Sequence, residues 1–546
     1  MEYETVIGLE VHVQLQTQSK MFCACRADYQ TAPVNSRVCP VCLGLPGTLP
    51  VINSKAVEYT IMTGLALGCR IPEGSKFDRK NYPYPDLMKG YQISQYDLPL
   101  AVEGHLEIEV EDQLRHIAIE RVHLEEDVAK LQHFPSATGD SYSLVDVNRS
   151  GVPLMEVVSC PDLRSPEEAR SYLMALHSIL QYLEVSTANM QDGSFRCDAN
   201  ISIRPVGATE YSTRTEVKNM NSFRSVYLAL QYEAERQRRV VEEGGRVTQE
   251  TRGWIEERNV TVSQRSKEYA HDYRYFPEPD LPPLAVDEAW VEEIRARLPE
   301  LARQRRARLV ERFGIPEYDA RLLTGSKATA DYFEAALGQK QLSRAALEKF
   351  AKSVSNWILG DLRRLINLKN KGLAKAVSNL DRDSRDVASL LTNLENIDIT
   401  GVKVTSKHLA DLVGLVDAGS ISVTMAKTVL EEAFTTGDAP AQIVEAKGYT
   451  QINDSSAVQT AVADAIAANP KAVTDYLGGK DTATRFLVGQ VMKITRGQAN
   501  PELVNQLVRK GLEALKTDTS PSPGDAGETL SATSSQSEEN LEFTPR

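Results

Sequence analysis

Four cysteines near the N-terminus are spaced as metal ligands usually are. They form a C-x-C pair followed by a C-x-x-C pair, namely Cys23, Cys25, Cys39 and Cys42. Thiolates at this spacing favour tetrahedral zinc, and because four protein ligands would fill the coordination shell, the site would be structural. The alternative is a group of free or redox-active thiols. We expect Cys69, Cys160 and Cys197 to be small buried side chains.

Carboxylates and a histidine form a second group of candidate ligands. Hard cations such as Mg²⁺ take carboxylate oxygens and usually keep water or substrate phosphate as further ligands. The candidate positions are Glu10, His12, Glu125 with its neighbours Glu126 and Asp127, Asp192 and Glu216. The plain alternative is that each carboxylate is a solvated surface group and that His12 is a half-buried imidazole with its hydrogen bonds satisfied.

Alternating polarity indicates how strands would bring these residues together. Every odd position from Ile7 to Leu15 is apolar, so a strand there would place Glu10 and His12 together on its other face. The same alternation recurs over residues 194–204 and 213–218. The polar faces of these stretches carry our candidates for phosphate contact, Arg196, Arg204, Arg214 and Lys218. We therefore predict an antiparallel sheet with an apolar back covered by helices and a polar working face.

Local signals mark several further elements. A capping box that begins at Ser165, with proline at the first helical position, predicts one helix, and a second is predicted between Ser222 and Gly244. Residues 106–110 and 116–119 are predicted to be the two arms of a hairpin. Residues 78–92 are dense in Pro, Tyr and Lys, and we predict a long functional loop there rather than a helix or strand.

Composition and hydrophobic patterning divide the 546-residue chain into four predicted regions. Residues 1–290 alternate short strand-like stretches with turns, which is typical of an α+β domain. Residues 291–400 are helical and Arg/Lys-rich, and residues 401–515 are helical and rich in Ala, Val and Leu. Residues 516–546 lack a periodic apolar face and are predicted to be disordered. The predicted fold class is thus an α+β domain followed by two all-α domains and a disordered tail.

Composition narrows the classes of function. The net charge of −13, from 62 Lys and Arg against 75 Asp and Glu, disfavours a protein that coats nucleic acid non-specifically. The chain shows neither a membrane span nor a signal peptide, and its cysteine usage suggests a reducing compartment, so we expect it to be cytoplasmic. It contains no P-loop, no G-x-G-x-x-G and no G-x-S-x-G motif. A nucleotide site would therefore be built from Arg, Lys and metal on the sheet.

Longer motifs point to a family. They lie at residues 7–12, 39–47, 79–86, 146–154, 214–222, 272–281 and 486–493. With these motifs the chain resembles, from about residue 3 to about residue 515, the B subunit of the bacterial tRNA-dependent aspartyl/glutamyl amidotransferase.

The resemblance implies a reaction, cofactors and partners. The family converts Glu-tRNA(Gln) to Gln-tRNA(Gln) and Asp-tRNA(Asn) to Asn-tRNA(Asn), using ATP and Mg²⁺ to phosphorylate the side-chain carboxylate before ammonia displaces the phosphate. It implies a glutamine synthetase-like cradle for residues 1–290 and tRNA binding by the helical domains. It also implies a heterotrimer with an amidase A subunit and a small C subunit. The chain has no amidase motif of its own, so ammonia would come from the A subunit.

The resemblance also implies roles for individual residues, at the positions of this sequence that match the family's motifs. The metal-binding positions fall on Glu10, His12, Glu125, Asp192 and Glu216. The hydrophilic passage for ammonia falls on Lys80, Tyr82, Lys89 and Glu125, and the zinc knuckle of part of the family falls on the four cysteines. The basic cluster from Arg303 to Arg308 is either a contact for tRNA phosphates or a solvated helix face.

Two hypotheses compete with this one. A non-catalytic, zinc-containing scaffold for tRNA would bind no nucleotide on the sheet and would tolerate alanine at Glu10 or His12. A stand-alone carboxylate-amine ligase would turn over ATP with free glutamate and ammonia, although it would have no need of the long helical C-terminal half. The sequence does not say whether Glu-tRNA(Gln), Asp-tRNA(Asn) or both are the substrate.

Overall fold

The computed structural model describes residues 2–135, 141–266, 273–338, 342–378, 398–449, 455–495, 498–499 and 501–518. The chain separates into two compact units, Met1–Lys407 and His408–Arg546. The first unit contains the strands and the second is helical. Residues 516–518 of the predicted disordered tail are helical instead, and the tail from residue 519 onward lies outside the described residues.

The strands of the first unit form one large sheet and three small ones. In chain order they are β1 (Tyr3–Gln14), β2 (Gly74–Ser75), β3 (Asp78–Asn81), β4 (Tyr91–Ser94), β5 (Ala101–Val110), β6 (Gln113–Glu126), β7 (Lys130–Pro135), β8 (Ser141–Asp146), β9 (Pro153–Ser159), β10 (Phe195–Pro205), β11 (Thr215–Lys218), β12 (Glu250–Ile255), β13 (Val260–Ser266), β14 (Phe276–Pro277) and β15 (Leu284–Ala285). The large sheet has the order β13-β12-β11-β10-β1-β9-β6-β5. Its neighbours pair antiparallel except β11 and β12, which are parallel. The α+β prediction is therefore confirmed, with one parallel pair that it did not include.

The helices of the first unit lie on the back of this sheet and beyond it. In chain order they are α1 (Ser54–Ala66), α2 (Pro166–Leu183), α3 (Phe223–Glu242), α4 (Glu288–Ala296), α5 (Ala302–Phe313), α6 (Glu317–Thr324), α7 (Lys327–Leu337), α8 (Arg344–Trp357) and α9 (Arg363–Ser378). Leu9 and Val11 of β1 are fully buried in one core with Leu176 of α2 and Leu230 of α3. Burying each such side chain stabilises the fold by about 1.5–3 kcal/mol. The apolar face of the sheet is thereby covered, and its polar face is left for chemistry.

The predicted helix starts and the predicted hairpin are confirmed. The Ser165 hydroxyl accepts a hydrogen bond from the backbone N–H of Glu168 at 3.1 Å, and Ser222 caps α3 in the same way. Strands β5 and β6 are joined by Glu111 and Asp112, with φ of 51° and 59°. Two successive residues in this left-handed region are the mark of a tight two-residue hairpin turn.

The prediction of an irregular loop at residues 78–92 is wrong at both ends. Strands β3 and β4 pair antiparallel, with Lys80 opposite Gln92, and β14 joins the other edge of β3. These strands are only two to four residues long, and their pairing partner β14 comes almost 200 residues later in the chain. A polarity pattern over so few residues does not distinguish a strand from a loop, and it does not reveal a pairing partner that is distant in sequence.

The arginines of the α5 cluster are each paired with a carboxylate, although Arg303 is also exposed to solvent. Arg303 pairs with Glu107, and Arg306 pairs with Glu109 and with Glu317. Arg305 and Arg308 pair with carboxylates of α7, and Arg308 also pairs with Glu300 in the loop before α5. Neither hypothesis for this cluster, tRNA phosphate contact or solvated helix face, included these internal partners.

The second unit begins within α10 (Ser406–Asp417), and the last four of its described helices share a core. The others are α11 (Val423–Thr436), α12 (Pro440–Lys447), α13 (Ser455–Ala468), α14 (Pro470–Leu477), α15 (Thr482–Ile494) and α16 (Pro501–Asp518). Leu487, Val504 and Leu512 are fully buried there. Across the described part of the chain, no helix is both long enough and apolar enough to cross a membrane. The domain boundaries near residues 290, 400 and 515 stay predictions.

Candidate functional site

Three neighbouring strands bring a row of ionisable side chains together on the polar face of the large sheet. His12 of β1 pairs in register with Glu156 of β9, which in turn pairs with His123 of β6. The His12 Nε2 atom lies 3.5 Å from Glu156 Oε2 and 3.6 Å from Glu125 Oε1. The His123 Nε2 atom lies 3.1 Å from Glu156 Oε2. Two predicted residues, His12 and Glu125, thus meet two that were not predicted.

This row is buried and fits a divalent cation. Ligand atoms of His12, Glu125 and Glu156 all lie within 4.8 Å of one another, and both glutamates are buried. Burial alone would raise the pKa of Glu156, but the His12 and His123 imidazoles outweigh it and hold that pKa below its ordinary value. An imidazole nitrogen and two carboxylates form a mixed donor set that Mg²⁺ or Mn²⁺ accepts.

Glu10 and Glu216 lie beside this row, in a second charged group on β1, β10 and β11. Glu10 pairs in register with Asp198 and accepts a hydrogen bond from Asn200 Nδ2 at 2.9 Å. Burial, together with the charges of Glu156 and Asp198, raises the pKa of Glu10. The Lys218 ammonium bridges Asp198 and Glu216, with 3.2 Å between Lys218 Nζ and Glu216 Oε1. Among the described residues, the carboxylates of Glu10 and Glu216 are not part of the group formed by His12, Glu125 and Glu156, whose ligand atoms all lie within 4.8 Å of one another.

Asp192 lies in a different place. It belongs to the turn before β10, where its Oδ1 atom accepts the backbone N–H of Ser194 at 2.8 Å. It lines a cavity of about 700 Å³ whose other walls include Asn189, Asn221 and Thr400. The structure therefore does not bring Asp192 together with His12 and Glu125, and its predicted metal role stays a prediction.

Most of the predicted phosphate-contact residues have carboxylate partners within the protein. Arg196 Nη2 lies 2.8 Å from Asp127 Oδ2, and Arg204 Nε lies 2.6 Å from Glu4 Oε1. The Asp127 carboxylate is buried, and although burial opposes this, Arg196 and Arg149 lower its pKa. Arg214 is exposed and comes just before β11.

The residues predicted to line an ammonia passage form one wall of the site. Lys80 of β3 lies over the rings of Tyr82 and Tyr273, with its Nζ atom 5.9 Å and 5.0 Å from their centroids. Lys89 Nζ lies 2.6 Å from Oε1 of Glu126, so its ion pair is with Glu126 rather than Glu125. Burial raises the pKa of Tyr82 and brings that of Tyr275 to about 12, so these phenols are neutral hydrogen-bonding groups at pH 7.

The four predicted zinc ligands meet at a separate site. The Sγ atoms of Cys23, Cys25, Cys39 and Cys42 all lie within 4.8 Å of one another. The Cys39 and Cys42 sulfurs are 3.9 Å apart, close to the ~3.8 Å that tetrahedral zinc with 2.3 Å bonds requires. The thiol of Cys23 donates toward Cys42 and lowers the pKa of Cys42 to about 4. This set is ready to bind a soft or borderline metal.

Sequence reasoning missed Glu156 and His123. The sequence did carry a signal for the first, because Glu156 is a lone charged residue within the apolar run of β9, every residue of which is buried. A buried carboxylate needs a partner or a metal, so a charge in such a run is a candidate ligand. His123 stands two residues before Glu125 on one strand and so shares its face.

Comparison with known proteins shows the family to which the chain belongs. The family model described as the GatB/GatE catalytic domain matches residues 5–292, and the model described as the GatB domain matches residues 331–512. Three proteins named as B subunits of aspartyl/glutamyl-tRNA(Asn/Gln) amidotransferases are similar over 94% of this chain. That of Dehalococcoides mccartyi (strain CBDB1) is 54% identical with 99% of its length covered. Those of Caldicellulosiruptor bescii and Moorella thermoacetica are each 52% identical with 100% covered. The chain therefore belongs to the family of aspartyl/glutamyl-tRNA(Asn/Gln) amidotransferase B subunits.

Proposed function

We propose that this chain catalyses ATP-dependent transamidation of misacylated Glu-tRNA(Gln), Asp-tRNA(Asn) or both. Its family makes it a component of a glutamine-hydrolysing ligase that acts on tRNA. The observation that carries the ATP step is the buried row of His12, Glu125 and Glu156 on the polar face of the sheet. A scaffold would have no need to bury two carboxylates beside two imidazoles, because burying charge costs free energy unless something binds it.

The proposed chemistry has two steps. An oxygen of the substrate's side-chain carboxylate attacks the γ-phosphorus of ATP, forming a new O–P bond while the bond to the bridging oxygen breaks and ADP leaves. The nitrogen of ammonia then attacks the acyl carbon, and inorganic phosphate leaves with the electron pair of the C–O bond. The nitrogen loses a proton to give the amide. The first step is needed because oxide is a very poor leaving group from a carboxylate, whereas phosphate is a good one.

The protein's own residues would hold the reactants for these steps. His12, Glu125 and Glu156 would hold a Mg²⁺ ion, which when bound neutralises charge on the phosphates. Glu10, Asp192 and Glu216 remain proposed metal-site residues by family resemblance, and Lys218 and Arg196 orient the carboxylates next to them.

The supply of ammonia and the choice of tRNA involve partners. We propose an amidase A subunit and a small C subunit in a heterotrimer, with ammonia arriving past Lys80, Tyr82 and Lys89 toward Glu125. The helices after residue 290 would bind the tRNA body. The four-cysteine site would hold structural zinc and fix the loop next to this route, since Cys42 and Lys89 line one cavity. The cytoplasmic location stays a prediction.

The test is ATP hydrolysis by the reconstituted complex with ammonium supplied, in the presence and absence of Glu-tRNA(Gln). We expect ADP formation that requires the misacylated tRNA and yields Gln-tRNA(Gln). Absence of hydrolysis with either Glu-tRNA(Gln) or Asp-tRNA(Asn) would favour a zinc-containing scaffold. Hydrolysis with free glutamate alone would instead favour a small-molecule carboxylate-amine ligase.

A further inference from the structure

Lys20 is a lysine whose side chain is fully buried, with an exposed fraction of 0%. Its Nζ atom donates hydrogen bonds to the carbonyl oxygens of Arg37 at 2.7 Å and of Val147 at 3.4 Å. Among the described residues, no carboxylate oxygen lies within 4.0 Å of this ammonium. Carbonyl oxygens accept hydrogen bonds but cancel no charge, and a buried ammonium without a counter-charge is costly in free energy. The side chain therefore calls for a negative partner.

This lysine lies between the two halves of the four-cysteine site. Its backbone N–H donates to the carbonyl oxygen of Cys25 at 2.8 Å, and its ammonium donates to the carbonyl oxygen two residues before Cys39. A methyl group on Gly151 would lie 3.5 Å from Lys20 Cδ and 3.8 Å from Cys42 Cβ, so these two side chains flank the same small space. Lys20 therefore contacts the chain segments that carry both cysteine pairs.

Two other cations of this region already have a carboxylate partner. Arg26 and Arg37 both pair with Asp28, which is the only acidic residue in the cysteine-bearing segment 23–42. Asp28 is thus engaged away from Lys20, and the cysteine sulfurs are the remaining groups of the segment that can carry negative charge.

We propose that Lys20 is the counter-charge of the four-cysteine zinc site, an inference that rests on the zinc proposed above for that site. Four thiolates outweigh the charge of one Zn²⁺ ion, so the filled site is an anion. In a dry interior, the attraction between such an anion and a neighbouring ammonium is stronger than in water. Lys20 acts through the thiolates without touching the metal, as supporting groups around metal sites do. The filled site and the buried lysine each supply the charge that the other lacks.

The test measures zinc affinity rather than enzyme activity. Purified complexes that contain wild type or Lys20→Met, which keeps a side chain of similar length without the charge, are titrated with zinc against a chromophoric chelator. Loss of a supporting group typically weakens metal binding by about 10–100-fold, and we expect a loss in this range. Lys55→Met, at an exposed lysine of α1, is the matched control and should bind zinc like wild type.

Two outcomes of this titration would count against the zinc assignment or against the role of Lys20. Unchanged zinc affinity in Lys20→Met would overturn the inference alone and leave the proposed function standing. A wild-type complex that binds no zinc would overturn the proposed zinc site and this inference together.

A Cys25→His background separates the effect of charge from that of structural support. Three cysteines and one histidine also bind zinc, but the filled site then carries one thiolate charge less, which halves its net charge. Because the attraction scales with that charge, the loss caused by Lys20→Met should fall to about 3–10-fold in this background. Equal losses of zinc affinity in the two backgrounds would contradict the counter-charge.

A second substitution and a stability measurement guard against a variant that folds poorly. Lys20→Gln keeps a donor for the carbonyl of Arg37 without the charge, so it should lose zinc affinity as Lys20→Met does, and wild-type affinity in it would overturn the inference. The thermal unfolding midpoint of Lys20→Met should differ less from that of wild type without zinc than with zinc. An equal fall in both states would reduce Lys20 to a link between two loops and would also overturn the inference.

Discussion

His12 and Glu156 stand opposite each other on adjacent antiparallel strands, and their side chains meet with 3.5 Å between Nε2 and Oε2. Directly opposed residues point to the same face of a sheet, so the contact follows from strand register alone. A one-residue slip between β1 and β9 would send Glu156 to the helix-covered face and abolish the site. The pairing of two strands whose sequences lie about 145 residues apart therefore creates the candidate metal site.

Glu156→Gln should abolish tRNA-dependent amide formation, because the amide keeps the shape but removes the charge that a divalent cation needs. We expect a loss above the ~10–100-fold that substitution of a supporting residue typically costs. His123→Gln, which keeps a donor toward Glu156, should fall within that smaller range. The measurement is ADP and Gln-tRNA(Gln) formation against Mg²⁺ concentration, with Glu120→Gln as the control on the exposed side of β6.

The partner's glutaminase activity separates a local effect from a collapse of the complex. It should persist in Glu156→Gln, as it should in Glu125→Ala and Glu216→Ala. Wild-type transamidation in Glu156→Gln would show that this carboxylate is not a ligand. Loss of glutaminase together with transamidation would indicate instead that the complex no longer assembles.

Period-two patterning predicted the strands β1, β10 and β11 of the main sheet, its apolar back and the positions of Glu10, His12 and Glu216 on the polar face. It worked because β1, β10 and β11 are each buried on one side only. It could not find Glu156, because every residue of β9 is buried and no alternation remains. It also could not separate Asp192 from the row, since the shape of a turn depends on backbone angles such as the φ of 79° at Gly193.

Cys25→Ser should release zinc from the purified complex and lower its thermal unfolding midpoint. Structural metal binds only the folded state, so its binding free energy adds to stability. We expect a drop of at least about 4 °C, which corresponds to one or two kcal/mol for a domain of this size. Metal content is measured by elemental analysis. Cys160→Ser serves as the control, because Cys160 lies outside the cysteine cluster, and unchanged metal content in Cys25→Ser would contradict the zinc assignment.

Asp127→Asn should change how stability depends on pH. The folded-state pKa of Asp127 is lowered, so its contribution is complete above the unfolded pKa of about 4 and is lost as the pH falls through the folded value. At pH 7 we expect a destabilisation of about 2 kcal/mol, at the low end for a buried pair because Arg196 is partly solvated. The difference in unfolding midpoint from wild type should shrink between pH 7 and pH 3.5.

The control for the Asp127→Asn measurement is Asp28→Asn, because Asp28 is also paired with arginine but its carboxylate is exposed. It should unfold like wild type at both pH values. A difference between Asp127→Asn and wild type that stays constant down to pH 3.5 would mean that folding does not lower the pKa of this carboxylate.

Arg305→Met should weaken the protein without weakening tRNA binding. The Arg305 side chain is only 9% exposed, and it lies 2.6 Å from both Asp331 and Glu334, measured from Nη1 and Nε. Removing it takes one of two cations from each carboxylate, since Asp331 keeps Lys327 and Glu334 keeps Arg308. Because Asp331 is half exposed, we expect a cost of about 1–2 kcal/mol, below that of breaking a fully buried pair. If Arg305 contacted a tRNA phosphate, its substitution would instead lower the affinity for tRNA. It would also reduce the salt dependence of binding by about one unit of slope. We therefore expect a lower unfolding midpoint and unchanged slope and affinity in salt-dependent binding titrations. Arg344→Met, at an exposed arginine with a single helix partner, should change neither.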